Sequence, residues 1–282
     1  MLRYATIAAI LLLPMSAAHA QDAPRVGDTI QILRQHQISQ RSEGSSSTSS
    51  NSDGFVERVV AVRPDGLELE YDLPQGSGGG SWQFPVRVFK PARGPMRLLD
   101  PKAMEARVDA WLKQAGMTRA ACGHWVSGWN AFRVECDPQS VLTVLDQLNP
   151  DAGELREGVS YRDPDARGPA PLVRKSATAF TVELAADPEK IRRARADADI
   201  ANAELSGQRL ASDAALRAHA DEAISGTITI GFDLDSAGQV RRRTRIIKVE
   251  IKRKDGRIEN QSETEIVERR PAPRPPRDPN LI

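Results

Sequence analysis

Three consecutive strand patterns near the C terminus constrain the fold of this chain most strongly. In the first strand, apolar residues alternate with polar or small ones, as in a strand with one buried face. Its apolar members are Ile228, Ile230, Phe232 and Leu234. A turn at 235–238 leads to a second run, 240–253, and Asp255-Gly256 predicts a two-residue hairpin loop before the third. We call Gly226–Glu268 the C-terminal ribbon and predict a three-stranded antiparallel meander.

The two turns of the ribbon also predict how its strands pair. A two-residue loop at Asp255-Gly256 places Lys248 opposite Glu263, with opposite charges on one face and aliphatic residues on the other. Pairing Leu234 with Val240, however, turns the even-numbered residues of the middle strand inward. The second hairpin instead turns its odd-numbered residues inward, namely Ile247, Val249 and Ile251. We therefore expect a bulge or sharp twist at Ile246-Ile247, where the two patterns meet.

The first 20 residues are typical of a secretory signal peptide. Arg3 supplies the positive charge, Ala5–Leu13 the short apolar run, and Ala18-His19-Ala20 the small-residue cleavage site. A membrane anchor is the alternative, but so short a run cannot span ~30 Å of hydrocarbon. We expect cleavage after Ala20 and a periplasmic or secreted protein that does not span the membrane after cleavage.

The charge balance argues against one class of partner. Removal of residues 1–20 takes away Arg3 and leaves 38 basic side chains against 38 acidic ones. A dedicated nucleic-acid binder carries a basic excess. We therefore predict no nucleic-acid partner.

The mature chain divides into segments of different pattern. Residues 21–99 are predicted to form antiparallel strands, with a Ser-rich hairpin loop at 41–53 that cannot bury apolar surface. Residues 100–225 are predicted to be mainly helical, and 270–282 to be a disordered Pro-rich tail. The segments 21–99, 100–225 and 226–269 are expected to form one domain.

Three Asp-Pro pairs indicate helix starts in the middle segment, because Asp caps a helix and Pro is favoured at its first position. They are Asp100-Pro101, Asp137-Pro138 and Asp187-Pro188, and a fourth helix is predicted at 212–224. Strands, then helices, then strands is an α+β order. We predict that the N-terminal and C-terminal meanders join in one antiparallel sheet, with a half-barrel as its curved form, covered by about four central helices.

Cys122 and Cys136 are the only cysteines, and they fall opposite each other in a hairpin centred on Trp129. In an exported chain this predicts a disulfide bond. A redox pair or metal site is the alternative, but the 13 intervening residues do not resemble Cys-x-x-Cys. Trp125 in the same hairpin lies opposite Arg133 and either covers the disulfide or offers a ligand platform.

No pattern in the sequence indicates catalysis. His36, His124 and His219 fall on different predicted elements and in no metal-binding spacing, and no serine lies in a nucleophile motif. We therefore predict no catalytic, metal or cofactor-binding residues and no cofactor. An enzyme such as a hydrolase without a readable motif is the alternative.

An arginine run is the one local charge anomaly. It comprises Arg241, Arg242, Arg243 and Arg245, and 239–277 holds 13 basic against 6 acidic side chains. These arginines are a candidate patch for an anionic partner such as lipid head groups or an acidic protein. The alternative is a solvated ribbon face that protects against aggregation.

The layout of the chain resembles exported envelope proteins of Gram-negative bacteria that have no characterised function. The features shared are the Ser-rich hairpin, the Pro64-Asp65-Gly66 turn, the late helices and the closing meander. The layout is also similar to the half-barrel lipoprotein carriers of the LolA/LolB type. That resemblance implies a non-enzymatic binding or envelope-assembly protein whose partner is a lipid or an envelope protein. It further implies an apolar cavity, which we expect to be lined by Leu69, Tyr71, Trp82, Phe84, Ile228, Ile230 and Phe232.

Overall fold

The computed structural model describes residues 23–74, 81–127, 131–150, 153 and 155–272. The predicted signal peptide therefore lies outside the described residues, as does most of the predicted tail. Residues 270 and 271 of that tail form the end of the last strand.

Ten strands form one antiparallel sheet, and four short strands form two separate pairs. The sheet strands are β1 (Thr29–Ser42), β2 (Ser45–Arg63), β3 (Gly66–Asp72), β4 (Val86–Pro91), β5 (Arg97–Leu98), β10 (Val173–Ser176), β11 (Ala179–Ala185), β12 (Ala223–Leu234), β13 (Val240–Lys252) and β14 (Ile258–Pro271). The pairs are β6 (Trp125–Ser127) with β7 (Ala131–Arg133), and β8 (Ser160–Tyr161) with β9 (Ala170–Pro171).

The described residues contain four α-helices and one short 3₁₀ turn, Arg119–Ala121. The helices are α1 (Pro101–Gln114), α2 (Ser140–Leu148), α3 (Pro188–Leu205) and α4 (Ser212–Ala218). Asp100 and Asp187 cap α1 and α3 through hydrogen bonds from the N–H groups of Ala103 and Glu189, as predicted. The predicted fourth helix is shorter than expected because Ala223 already begins β12.

The N-terminal and C-terminal meanders join where β1 pairs with β14, from Ile30 opposite Pro271 to Ser42 opposite Glu259. The sheet order is β10-β11-β12-β13-β14-β1-β2-β3-β4-β5. The α+β class and the joined antiparallel sheet are confirmed. Within the described residues the sheet is open, and its half-barrel form stays a prediction.

The predicted register of the second ribbon hairpin is wrong by one residue. Lys248 lies opposite Ser262, and Glu263 lies opposite Ile247. The Arg253 N–H donates to the Arg257 carbonyl at 2.9 Å, which leaves a three-residue loop. A two-residue type I′ loop needs positive φ at both central residues, but only Gly256, at +83°, has it here.

The bulge expected at Ile246-Ile247 is not found there, because the pairing of β12 with β13 is continuous at those residues. It lies instead beside the turn between the two strands. Leu234 pairs with Val240 as predicted, and the register shifts between Asp233 and Leu234, so that Arg241 has no pairing partner. A bulge beside the turn disturbs only the end of the ladder. Odd-numbered residues of β13 therefore share a face with Ile228 and Phe232 of β12, and we call this the inner face.

The Ser-rich segment is a strand and not a loop. Ser45–Asp53 forms the first half of β2 and pairs with β1 down to Ser42 opposite Ser45. The prediction considered only what the side chains could bury. A strand can instead be held by backbone hydrogen bonds to a neighbour that is itself fixed on its other side, and β14 fixes β1 in this way.

Two large hydrophobic cores and one small one lie on the inner face, and the small one consists of Ile224, Val249 and Ile251. The first contains β1–β4 residues together with the predicted stripes of α1 (Met104, Val108, Leu112) and α2 (Val141, Leu145, Leu148). The second contains Phe180, Val182, Ile228, Ile230 and Phe232 of β11 and β12. Polar side chains on β1, β13 and β14 separate the cores, since the inner face there carries Arg34, Arg243, Arg245 and Glu265.

Candidate ligand cavity

The predicted disulfide is present. Cys122 and Cys136 are bonded, with Cα atoms 5.6 Å apart. Trp125 lies opposite Arg133 as expected, but the Arg133 Nε donates to the Gly123 carbonyl at 2.9 Å. Trp129 lies outside the described residues. The bonded cysteines clamp the small hairpin against the first core, to which both contribute.

The arginine run is divided between different environments. Arg243 is half-buried on the inner face, where it donates to Glu265 at 2.9 Å and to the Gln147 carbonyl at the end of α2 at 3.0 Å. Arg245 binds Asp163 and Asp165, at 2.7 and 2.6 Å. Arg241 is exposed and Arg242 is half-exposed. The role of the run toward an anionic partner stays a prediction, and Arg241 and Arg242 are the members placed to reach one.

The expected cavity lining is wrong for most of its residues. Leu69, Tyr71 and Trp82 are buried in the first core, Phe84 packs against it, and Ile230 and Phe232 are buried in the second. Of the seven, Ile228 lines a cavity formed by described residues. Alternation identified these side chains as buried, but it does not distinguish a solid core from a cavity wall.

A cavity of about 350 Å³ lies elsewhere, between α3 and the inner face of β12–β14. Its floor is aliphatic and consists of Ile228, Ile247 and Val249 of the sheet, with Ile191 of α3 beside them. Ala194 and Ala198 stand one helical turn apart on the side of α3 that lines the cavity. Both alanines are exposed, so the space arises because α3 presents methyl groups where a larger side chain would reach the sheet.

Charged side chains form one wall of this cavity. Arg195 binds Glu259 at 2.9 Å and approaches Glu222 at 3.1 Å, while Arg253 also binds Glu259, at 3.0 Å. Burial of the Glu259 carboxyl opposes its ionisation, but hydrogen bonds from Arg195 and Arg253 outweigh that and hold its pKa below the ordinary value. The pair therefore stays charged at neutral pH beside an apolar floor.

His219 completes the charged wall and was not singled out by the sequence. Its Nε2 lies 2.9 Å from Asp199 and its Nδ1 3.1 Å from Glu222. Among the described residues, the buried Arg195 Nε, His219 Nδ1 and Glu222 Oε2 complete no well-aligned hydrogen bond. These atoms retain hydrogen-bonding capacity. The sequence offered little signal, since His219 falls inside the helix predicted at 212–224, close to Asp221 and Glu222.

The cavity lining contains no serine, threonine or cysteine among the described residues. The lining therefore offers no hydroxyl of serine or threonine and no thiol as a nucleophile, although His219 with Asp199 offers a general acid or base. No group of three or more His, Cys, Asp or Glu side chains in the described part of the chain could hold a metal ion. Binding is the chemistry that this lining supports best, because a small apolar floor beside a few polar groups is the usual composition of ligand sites.

No family model and no curated protein matches the chain. A solved structure of lipovitellin, described for its lipid–protein interactions, aligns with 88% of this chain at 9% identity and a TM-score of 0.34. The chain spans 26% of the length of that protein. The attachment invasion locus protein Ail of Yersinia pestis aligns over 87% of this chain and 100% of its own at 5% identity, with a TM-score of 0.15. At these identities and TM-scores, neither similarity establishes a shared fold or function.

None of the described helices is both long enough and apolar enough to cross a membrane.

Proposed function

We propose that this protein is an exported, periplasmic binding protein that holds a small amphiphilic ligand in the cavity between α3 and the sheet. The observation that carries the proposal is the cavity itself, with about 350 Å³ of space, an aliphatic floor and a charged wall. A volume of ~300 Å³ or more is typical of small-molecule sites. The disulfide supports export, because such bonds persist in oxidising compartments.

The lining indicates the chemistry of the ligand. An aliphatic or aromatic part would contact Ile228, Ile247 and Val249, and burying it would contribute about 25 cal/mol per Å². A polar head would lie at the other wall, where Arg195 and Arg253 offer N–H donors. The ligand class is therefore a compact amphiphile with a hydrogen-bond-accepting head, held in a different cavity from the one expected from the sequence.

The experiment uses 8-anilinonaphthalene-1-sulfonate, a compact aromatic anion whose fluorescence rises in apolar surroundings. We expect saturable binding by the wild-type protein. Ala194→Trp and Ala198→Trp place a large ring into the cavity from the exposed side of α3 and should abolish that signal. Ala110→Trp is the matched control, because Ala110 is also an exposed alanine within a helix, α1, and lines no described cavity.

Binding that survives both α3 substitutions would place the dye elsewhere and contradict the proposal. Native mass spectrometry of protein purified from its own periplasm would then identify the natural ligand. The α3 substitutions should remove its added mass, whereas Ala110→Trp should retain it.

The alternative, that the protein is an enzyme, can be tested at the same cavity. His219 is the one described group there with a carboxylate-paired ring, so His219→Gln should abolish turnover of any ester or amide that the protein hydrolyses. Absence of turnover by the wild-type protein, together with dye binding, would favour binding as the function.

A further inference from the structure

We propose that the protein pairs with a second copy of itself through an exposed edge of β2. The segment Ser45–Ser52, here called the open edge, has β1 on one side. On the other side β3 pairs only with Val56–Arg63, and Pro74 lies against Gly54. No described residue pairs with the open edge on that side.

The backbone hydrogen bonds show which residues face outward. The Gly27 N–H donates to the Val59 carbonyl and the Val59 N–H to the Asp28 carbonyl, both at 2.9 Å. The pairing of β1 with β2 continues this register without a break to Ser42 opposite Ser45. Since successive residues of a strand direct their backbone groups to opposite edges, even-numbered residues of the open edge face away from β1. They are Ser46, Thr48, Ser50 and Ser52, and the Ser52 N–H is held by the Asn51 side chain at 2.9 Å.

Within the described residues, the open edge lacks the sequence features that usually prevent pairing. Charged residues, prolines, bulges or short length normally protect sheet edges, and Ser45–Ser52 has eight uncharged residues, no proline and a continuous register. The other two edges are protected. The outer strand β5 has two residues, and β10 has four, with Arg174, Lys175 and a register shift.

A second copy is the occupant that fits this edge best. In an antiparallel pair about a two-fold axis at Ser49, Ser46 faces Ser52 and Thr48 faces Ser50. Every outward backbone group then finds a partner except the Ser52 N–H, which Asn51 already holds, and no like charges meet. The side chains along the edge are small and exposed on both faces, so they form no pocket that would select a foreign sequence. The formal net charge of the whole chain is +1, so little long-range repulsion opposes approach.

The pairing closes at two copies. Ser45–Ser52 is the longest unprotected edge among the described residues, and an isologous contact about a two-fold axis uses it completely. An interface of eight residues per copy is smaller than the roughly 20–30 residues a side of stable complexes, so the dimer should form reversibly and at high concentration.

Cysteine cross-linking tests the proposed register. At the axis, Ser49 faces its own copy as a non-hydrogen-bonded pair, with Cα atoms about 4.5 Å apart, which is within disulfide reach. Ser49→Cys should therefore give a covalent dimer under mild oxidation. Ser47→Cys is the matched control, because it faces Asn51 of the other copy and lies ~14 Å from its equivalent. The natural cysteines are already paired with each other.

Sedimentation velocity over roughly 1 µM to 1 mM covers the range of weak association. The wild-type protein should change from monomer to dimer. Ser50→Pro should remain monomeric, because it removes an outward N–H while leaving the β1 ladder intact. A Thr48→Lys/Ser50→Lys variant should also be monomeric, yet form a mixed dimer with a Thr48→Glu/Ser50→Glu variant, which shows that both fold. The proposal would be overturned by a wild-type protein that is monomeric at every concentration, whether or not it binds a neutral extended peptide. Equal cross-linking at positions 47 and 49 would also overturn it.

Discussion

The guanidinium of Arg245 donates two hydrogen bonds to the carboxylate of Asp163, at 2.7 and 2.8 Å, in the gap between the two hydrophobic cores. Asp163 comes from the loop before β9 and its side chain is 3% exposed. Neighbouring Arg243 binds Glu265 and the end of α2. The charges on the inner face therefore add to the apolar cores in tying the loop and α2 to the sheet.

Removing Arg245 should be costly. Arg245→Met would leave the buried Asp163 carboxylate without its partner, and breaking a buried pair in this way costs about 3–5 kcal/mol. Urea unfolding at pH 7 measures the change. The control is Arg217→Met in α4, whose pair with Asp213 is exposed on both sides and should contribute about 0–1 kcal/mol. Equal effects of the two substitutions would show that the Arg245 pair is not a buried structural contact.

Stability should fall as the solution is acidified. Burial opposes ionisation of Asp163 and Glu265, but hydrogen bonds from Arg245 and from Arg34, respectively, outweigh it and hold both pKa values below their ordinary values. A depressed folded-state pKa contributes stability above the unfolded value, about 4. That contribution is lost as the pH falls from about 5 through the folded-state pKa values.

Urea midpoints measured between pH 7 and pH 3 would show this decline. Glu265→Gln should lower stability at pH 7 and make the decline shallower, because one ionising group is gone. Glu189→Gln, at an exposed position of α3, should leave the slope of the wild-type protein. A wild-type midpoint that does not change over this range would contradict the prediction.

The buried tyrosines should resist ionisation. The Tyr71 hydroxyl donates to Glu57 at 2.7 Å, and Arg269 binds the same carboxylate at 2.6 Å. Burial first, and then the Glu57 charge, raise the pKa of Tyr71 well above 10. Burial also raises the pKa of Tyr161. A chain that begins at Gln21 has no other tyrosine, so absorbance of tyrosinate at pH 10.5 should be far lower in the folded protein than in urea.

Tyr71→Phe separates the two contributions. It leaves only the half-buried Tyr161 to titrate, and it removes a hydrogen bond to a charged group that is worth about 1.5–3 kcal/mol. Because the folded-state pKa of Tyr71 is raised, its protonated hydroxyl contributes fully to stability below pH ~10. That contribution is lost as the pH rises further. Equal tyrosinate absorbance in folded and unfolded protein would show that Tyr71 is accessible to solvent.

Local sequence patterns predicted which helices and strands form better than they predicted the register in which the strands pair. Asp-Pro pairs located α1 and α3, and alternation located β12, because caps and strand faces depend on nearby residues. The register of β13 with β14 depended on one backbone angle at Asp255, and the strand at Ser45–Asp53 depended on support from β14, more than 200 residues away. Neither is visible in a local pattern.

The candidate site was largely invisible in the sequence for a related reason. The charged wall brings together His219, Arg195 and Glu259 from two helical segments and β14, and only the topology makes them neighbours. The arginine run, by contrast, was conspicuous in the sequence. Its bulge at Arg241 then turned Arg243 and Arg245 onto the inner face, where they bind carboxylates of the same chain.

The three-residue loop of the second ribbon hairpin gives the last prediction. Gly256 has a φ of +83°, and no described atom lies within 4 Å of a Cβ added there, so Gly256→Ala would be opposed by backbone strain alone. The left-handed conformation costs about 1–2 kcal/mol for a residue with a Cβ. Gly256→Asn should cost less, because Asn tolerates that conformation. Gly231→Ala, also in open space but without positive φ, should be neutral or slightly stabilising. Urea unfolding of the three variants measures the order, and a Gly256→Ala protein as stable as Gly231→Ala would show that residue 256 does not need the left-handed conformation.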